Sequence, residues 1–183
     1  EDLAKKMVFI GGPRQVGKTT LATQFLNPPD TSHPAYLNWD EPRARKDLIA
    51  GILPADQPTI IFDEIHKYKA WRNLVKGYYD TRKSKTSFIV TGSAKLDFYR
   101  KGGDSLLGRY FYYRLHPFSL FEMNKNPNQD DLRTLLEFGG FPEMLLGQNF
   151  KDWKRWQKER VTQVIRDDLL SLEQVRDVTQ LEL

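Results

Sequence analysis

A glycine-rich stretch near the start of the sequence has the residue types and spacing of a phosphate-binding loop. It contains a glycine, any four residues, a second glycine, a lysine and a threonine. Glycines let the backbone approach phosphate closely, and amide hydrogens at a helix start point toward a bound anion. Lys18 would neutralise the β- and γ-phosphates, and Thr19 would coordinate Mg²⁺. The residues predicted to bind the nucleotide are Gly12, Pro13, Arg14, Gln15, Val16, Gly17, Lys18, Thr19 and Thr20.

Two adjacent carboxylates, Asp63 and Glu64, follow a short apolar run that is typical of a central strand in a parallel sheet. Ligands of such sheets bind at the carboxyl ends of the strands. Asp63 is therefore predicted to hold the magnesium shell together with Thr19. Glu64 is predicted to orient and deprotonate water, which hydrolysis requires and phosphate binding does not. The alternative interpretation is an acidic pair that meets solvent at a strand end.

Further candidates follow later in the sequence. Ser93 ends the next predicted strand and is the candidate sensor of the γ-phosphate, with a simple turn residue as the alternative. Arg109 and Arg114 could neutralise charge on the transferred phosphate, in the same chain or across a subunit interface. Arg109 is preferred as the catalytic arginine, and a surface salt bridge is its alternative. Asp40 is a weaker choice, because it would either contact the site or cap the following helix.

The elements that would position these residues alternate between strands and helices. Short apolar runs predict five strands, and amphipathic patterns predict helices between them. This alternation favours the α/β class, with a parallel sheet covered by helices on both faces. The five predicted strands lie in MVFIGG, AYLNWD, PTIIFDE, TSFIVTGSA and RYFYYRLHPFS. The glycine-rich loop therefore lies between a strand and a helix, which is the context that its motif requires.

The composition of the chain changes after residue 123. The segment from Asn124 to Asp131 is rich in turn-forming residues and is predicted to be a linker. The patterns beyond it predict helices, the last running from Phe150 to Leu172. We therefore expect an α/β core over residues 1–123 and a small helical region over residues 124–183.

Composition excludes several classes of protein. The chain has 183 residues, a mean hydropathy of -0.60 and no apolar run near the roughly 20 residues of a bilayer crossing, so no membrane partner is expected. It contains no cysteine, which excludes disulfides, zinc–thiolate sites and thiol catalysis and fits a cytoplasmic location. His33, His66 and His116 lack metal-ligand spacing. Magnesium bound with nucleotide is therefore the metal that we expect.

The net charge of +4 permits contact with anions, and a basic run lies on the last predicted helix. Tryptophans interrupt this run, which is compatible with nucleic-acid binding. A solvated helix face is the preferred interpretation. The residues concerned are Lys151, Trp153, Lys154, Arg155, Trp156 and Lys158.

Seven segments that together cover most of residues 7–178 are, in order, GPRQVGKTTL, YLNWDEPRAR, IIFDEIHKYKAWRNLVKGYYD, VTGSAKLD, LLGRYFYYRLHPFSLFE, GGFPEMLL and RDDLLSLEQVRD. These segments, in this order, resemble the AAA-like prokaryotic P-loop ATPase family, in which an uncharacterised C-terminal domain usually follows the ATPase core. The segments GR…L.PFS..E and GGFPE are more particular to the family than the P-loop. Phe118 departs from the leucine that is more common in the family.

This resemblance implies a P-loop NTPase fold with a five-stranded parallel sheet flanked by helices, in which the sensor strand lies between the P-loop strand and the Asp63 strand. It also implies that the chain is a truncated core, because a winged-helix-like region and a further domain normally continue. The roles that it implies are ATP binding by Gly17, Lys18 and Thr19, magnesium organisation by Asp63, hydrolysis through Glu64 and sensing by Ser93.

The predicted function is that of an ATPase, slow in isolation, which uses ATP and Mg²⁺ as a conformational switch for a partner or a neighbouring domain. One alternative is a nucleotide-gated interaction module with little turnover, using the aromatic helix near Trp71 or the last helix as its partner surface. A P-loop kinase is the other. A GTPase is disfavoured because NKNP at Asn124 breaks the guanine-reading pattern at Pro127. Expected partners are ATP, further copies of the chain in a homo-oligomer, and a protein client.

Overall fold

The computed structural model describes residues 1–93 and 106–163. Five parallel strands form one sheet in the order β2-β3-β4-β1-β5. Helices pack against this sheet, so the predicted α/β P-loop fold is confirmed. The predicted position of β4 between β1 and β3 is confirmed as well. The strands are β1 (Met7–Gly11), β2 (Tyr36–Asn38), β3 (Thr59–Asp63), β4 (Ser87–Thr91) and β5 (Tyr110–Arg114).

The two central strands that carry the candidate site are almost completely buried. Every residue of β3 is buried, as are four of the five residues of β4. Burial on both faces explains why these strands read as continuous apolar runs rather than alternating patterns. Their register places Asp63 beside Thr91, while β2 places Asn38 beside Asp63. The carboxyl ends of three neighbouring strands therefore meet at one edge of the sheet.

The helices of this part are α1 (Lys18–Thr23), α2 (Pro42–Ile49) and α3 (Trp71–Arg82), with 3₁₀ turns at Asp2–Ala4 and Ile65–Lys67. The aromatic face of α3 packs into the core. The ring centroids of Trp71 and Phe9 are 6.0 Å apart, and those of Tyr78 and Phe62 are 5.7 Å apart. The interpretation of this aromatic face as a partner surface is therefore wrong. Its residues stabilise the sheet by burial of apolar area.

The chain divides into two compact units, Glu1–Leu115 and His116–Leu183. The described helices of the second unit are α4 (Leu120–Met123), α5 (Gln129–Phe138), α6 (Pro142–Gly147) and α7 (Phe150–Gln163). The domain boundary between residues 123 and 124 stays a prediction. None of the helices in the described ranges combines the length and the apolar character that a membrane crossing needs.

The predicted linker is shorter in the structure than in the sequence analysis, because its last three residues begin α5. The Asn128 side chain accepts hydrogen bonds from the backbone N–H groups of Asp130 at 2.8 Å and Asp131 at 2.9 Å. The Asp131 carboxylate in turn accepts from the Asn128 N–H at 2.9 Å. This reciprocal cap satisfies amides that a helix start otherwise leaves without partners. Residues that favour turns therefore start a helix here.

The last helix is described as far as Gln163, so the remainder of the predicted helix, up to Leu172, lies outside the described residues. Its basic residues make local contacts. The Lys154 ammonium lies 4.6 Å from the centre of the Phe150 ring, and Arg155 Nε lies 3.0 Å from Glu159 Oε1. Such exposed pairs are typical of a solvated helix face and contribute little to stability.

Candidate active site

The loop between β1 and α1 has the backbone geometry of a phosphate cradle. Gly12 has a φ of 148°, and a Cβ atom there would lie 2.3 Å from the Leu115 carbonyl oxygen. Gly17 lies at the N-terminus of α1 with a φ of 93°, in the left-handed region. Side chains at these positions would clash or strain the backbone, which explains both glycines. Gln15 also has a positive φ, 62°, at the turn of the loop.

The Lys18 side chain extends into this loop. Its relative exposure is 8%, and Nζ donates hydrogen bonds to the carbonyl oxygens of Gly12 at 3.1 Å and Pro13 at 2.7 Å. The ammonium charge is therefore fixed at the concave side of the cradle, where an anion would be held. Of the remaining loop residues, Val16 is buried in the core, Pro13 and Arg14 are half-buried, and Gln15 and Thr20 are exposed.

Asp63 ends β3 beside the cradle, and three hydroxyl groups surround its carboxylate. Thr19 Oγ1 donates to Oδ2 at 3.0 Å, the Tyr36 hydroxyl donates to the same oxygen at 2.5 Å, and Thr91 Oγ1 donates to Oδ1. Only 4% of Asp63 is exposed, so these hydrogen bonds stabilise a buried carboxylate that would otherwise be costly to desolvate. The structure thus brings together Thr19 and Asp63, the two predicted magnesium residues.

The donor set of this pair fits Mg²⁺. Carboxylate and hydroxyl oxygens are the hard ligands that Mg²⁺ prefers, and Mg²⁺ commonly keeps several waters and binds through only one or two protein groups plus phosphate. Among the described residues, no three His, Cys, Asp or Glu side chains cluster as a protein-only metal site. An aspartate and a threonine beside a phosphate cradle therefore suit a metal that arrives with nucleotide.

Tyr36 and Thr91 are site residues that the sequence analysis missed. Burial and the neighbouring Asp63 carboxylate raise the pKa of the Tyr36 hydroxyl, so it keeps its proton and remains a donor. Thr91 is completely buried and lies beside Asp63 in the sheet register. Its position as the last residue of an apolar run was a usable signal. Tyr36 gave none, because its contact depends on the pairing of β2 with β3.

Glu64 directly follows Asp63 in a left-handed backbone conformation with a φ of 56°. Its N–H donates to the Thr91 carbonyl at 3.1 Å, which fixes the backbone against the end of β4. Burial raises the pKa of the Glu64 carboxyl, the charge of Lys67 opposes this shift, and the charge of Asp63 adds to it. A carboxylate with a raised pKa is a stronger proton acceptor, which suits the predicted role of a general base.

Lys67 connects Glu64 to Asp40. Its Nζ lies 3.3 Å from Glu64 Oε2 and 2.5 Å from Asp40 Oδ2. The expectation that Asp40 caps α2 is wrong, because Glu41 is the N-cap residue. The Asp40 carboxylate reaches the site through Lys67, a residue that the sequence analysis did not select. Burial lowers the pKa of Lys67, but the hydrogen bond with Asp40 and the charges of Glu64 and Asp40 outweigh it and raise this pKa.

Ser93 follows β4 on the same side of the sheet as Glu64. Its side chain is buried, and Oγ lies 3.4 Å from His66 Nε2. The histidine belongs to the 3₁₀ turn that directly follows Glu64. The sensor role of Ser93 stays a prediction, and its neighbour His66 had been considered only as a metal ligand.

Arg109 lies at the opposite edge of the sheet from the cradle. It directly precedes β5, and its carbonyl accepts from the Met7 N–H at 3.1 Å at the start of β1. Its guanidinium pairs with Asp80, with Nε 2.9 Å from Oδ1 and Nη2 3.2 Å from Oδ2. Five residues of strand, about 17 Å at 3.3 Å per residue, separate this edge from the loop. Within this chain the Arg109 guanidinium is therefore engaged in an ion pair, which is the alternative named in the sequence analysis, and its catalytic role stays a prediction. Arg114 instead lies beside Gly11, next to the cradle.

A cavity of about 530 Å³ lies beside α1 on the β1–β5 side of the sheet. Leu21 of α1 and Phe25, which follows the end of α1, line it together with Leu3 and Tyr113. Leu21 is two residues beyond Thr19, so the cavity begins next to the phosphate cradle. Most of the lining is apolar, and its charged residues are Glu1, Asp2 and Arg114.

Comparison with known proteins agrees with this geometry. The chain is 22% identical to an uncharacterised protein of Methanocaldococcus jannaschii, over 99% of this chain and 46% of the relative. The chain thus spans about half the length of that relative. The family described as AAA domain matches residues 4–124, which include the cradle, Asp63 and Glu64. The chain therefore belongs to the AAA domain family of nucleotide-binding P-loop ATPases.

Proposed function

We propose that this protein hydrolyses ATP with Mg²⁺ and that the cycle acts as a conformational switch for a partner or a neighbouring domain. The observation that carries the proposal is the hydrogen bond of 3.0 Å between Thr19 and Asp63, with Glu64 as the next residue. It joins the cradle to two carboxylates at one edge of the sheet. A site that only bound phosphate would not require the second carboxylate.

Each residue has a role in this proposal. Lys18 and the loop amides hold the phosphates, and Thr19 and Asp63 hold the metal. Bound Mg²⁺ would supply charge neutralisation at the phosphates. Glu64 orients water and accepts its proton, and Ser93 responds to the state of the γ-phosphate. The cavity beside α1 takes the nucleotide base.

The ion pair between Glu64 and Lys67 favours a second candidate, a nucleotide-gated interaction module with little turnover. The ammonium group of Lys67, 3.3 Å from the Glu64 carboxylate, makes Glu64 a weaker base than burial alone would make it. In that case, binding of ATP rather than its hydrolysis would set the conformation. A second copy of the chain and a protein client remain proposed partners in both cases.

The two candidates differ in the behaviour of Glu64→Gln. For a hydrolase, we expect Glu64→Gln to bind ATP like the wild type and to lose phosphate release by at least about 100-fold, whereas Lys18→Ala loses both. Exposed residues of the same types provide the controls, Glu137→Gln and Lys85→Ala. Equal turnover in the wild type and Glu64→Gln contradicts the hydrolytic mechanism, and tight ATP binding without turnover in the wild type favours the module. Size in solution with and without ATP tests the homo-oligomer.

A further inference from the structure

One ring atom of His66, Nε2, lies close to both Glu64 and Ser93. Its Nε2 is 3.4 Å from Ser93 Oγ and 3.8 Å from Glu64 Oε2. The first separation is within hydrogen-bond range, and the second exceeds it by an amount that a rotation of the carboxylate can remove. The imidazole is therefore the group that joins the end of β4 to the carboxylate proposed to activate water.

The ring of His66 is held in a fixed place. Only 1% of its side chain is exposed, and it packs on the backbone of Gly92. A Cβ atom at Gly92 would lie 2.6 Å from Nδ1 and 3.0 Å from Cε1 of the ring. The absence of a side chain at Gly92 is thus what allows the imidazole to lie against β4. The imidazole therefore lies in close contact with the residues that end β4.

A histidine at this buried position costs more free energy than an apolar residue would if its role is only to fill space. Burial of a polar ring costs free energy unless the ring forms hydrogen bonds, and an apolar side chain of similar volume would pack without that cost. The preceding residue in the same turn, Ile65, is completely buried and aliphatic. The polar atom that faces both Ser93 and Glu64 is therefore the feature that distinguishes His66.

We infer that His66 is a positioning residue for the hydrolytic reaction, which orients the Glu64 carboxylate and transmits displacements of Ser93 to it. This inference rests on the proposed function. Lys67 contacts the same carboxylate oxygen from the solvent side, so His66 and Lys67 together limit the directions in which Glu64 can point. A shift of Ser93 on contact with the γ-phosphate would move the imidazole and, with it, the carboxylate.

Substitution of His66 separates positioning from packing. His66→Leu keeps the volume and removes Nε2, and we expect a kcat about tenfold lower with a KM for ATP changed by less than about twofold. His66→Gln returns a polar group near the position of Nε2, and we expect it to keep at least about a third of the wild-type kcat. His33→Gln is the control, since the His33 ring accepts a hydrogen bond from the Ala35 N–H at 3.1 Å. Thermal unfolding of each variant shows whether it is folded.

A double-mutant cycle tests the path through Ser93. We expect His66→Leu to lower kcat by less than about twofold in a Ser93→Ala background, because Ser93→Ala has already removed the contact between Ser93 Oγ and His66 Nε2. Equal losses for Leu and Gln, or full additivity with Ser93→Ala, overturn the inference and leave a packing role for His66. If Glu64→Gln abolishes turnover while His66→Leu keeps the wild-type kcat, the inference fails and the proposed function stands. Absence of phosphate release from the wild type overturns both.

Discussion

Tyr36 and Asp63, 27 positions apart in the sequence, are joined by a hydrogen bond of 2.5 Å from the phenolic hydroxyl to Oδ2. The same oxygen accepts from Thr19 Oγ1 at 3.0 Å. The tyrosine on an edge strand therefore sets the orientation of the carboxylate that faces the proposed metal. Groups that orient metal ligands in this way commonly change metal affinity by one to two orders of magnitude when they are removed.

Tyr36→Phe removes this hydrogen bond and the longer one, of 3.4 Å, that the Tyr36 hydroxyl accepts from Asn38 Nδ2. We expect the magnesium concentration for half-maximal phosphate release to rise by about tenfold, while the affinity for ATP without magnesium is unchanged. A magnesium titration of turnover measures the effect. Tyr79→Phe is the control, because the Tyr79 hydroxyl donates to the Lys5 carbonyl at 3.5 Å instead. An identical magnesium dependence in Tyr36→Phe and the wild type would show that the phenol does not orient Asp63.

Two glycine-to-alanine substitutions are expected to change stability in opposite directions. A methyl group at Gly92 would lie 2.6 Å from the His66 ring, whereas one at Gly77, an exposed position of α3, meets nothing within 4 Å. We expect Gly92→Ala to lower the free energy of unfolding by about 1–3 kcal/mol because of overpacking. Gly77→Ala should raise it by about 0.5–1 kcal/mol because alanine favours the helix. Urea unfolding measures both, and a neutral Gly92→Ala would mean that the ring can move away.

The ion pair of Arg109 and Asp80 predicts a pH-dependent contribution to stability. Hydrogen bonds from Arg109 lower the pKa of Asp80. A group with a lowered folded-state pKa contributes stability above its unfolded pKa and loses it as the pH falls through the folded value. Arg109→Ala should therefore lower the Tm slightly at pH 7, and the difference from the wild type should shrink below about pH 4.

Turnover of Arg109→Ala, measured on the same samples, tests whether Arg109 has a catalytic role. A purely structural ion pair predicts an unchanged kcat at pH 7. Arg133→Ala is a suitable control, because Arg133 forms an exposed pair with Asp130 at 3.6 Å in the second unit. Loss of turnover in Arg109→Ala at an unchanged Tm would instead support an arginine that acts across a subunit interface.

Local patterns were sufficient for much of the fold. The glycine spacing located the cradle and Lys18, and the apolar run before Asp63 located β3 and the edge where the site forms. These signals are short in range: a strand buried on both faces reads as a continuous apolar run, and a loop that wraps phosphate needs glycine at fixed positions. The resemblance to a known family gave the strand order.

Contacts that depend on strand register could not be predicted in the same way. Tyr36 reaches Asp63 because β2 pairs with β3, and Lys67 meets Asp40 because the turn after β3 packs beside the end of β2. The location of Arg109, by contrast, could have been predicted from its position in the sequence. A residue that opens a strand lies at the amino edge of a parallel sheet, while ligands bind at the carboxyl edge.

The left-handed backbone conformation of Glu64 lowers the stability of the fold at a position that we propose to be needed for activity. Residues other than glycine lose on the order of 1 kcal/mol or more in this conformation, and the partial burial of the Glu64 carboxylate adds a further cost. A substitution at position 64 that relieves both costs is expected to raise the free energy of unfolding, and it would also remove the carboxylate that we propose to activate water. At this position the proposed chemistry and the stability of the fold therefore favour different residues.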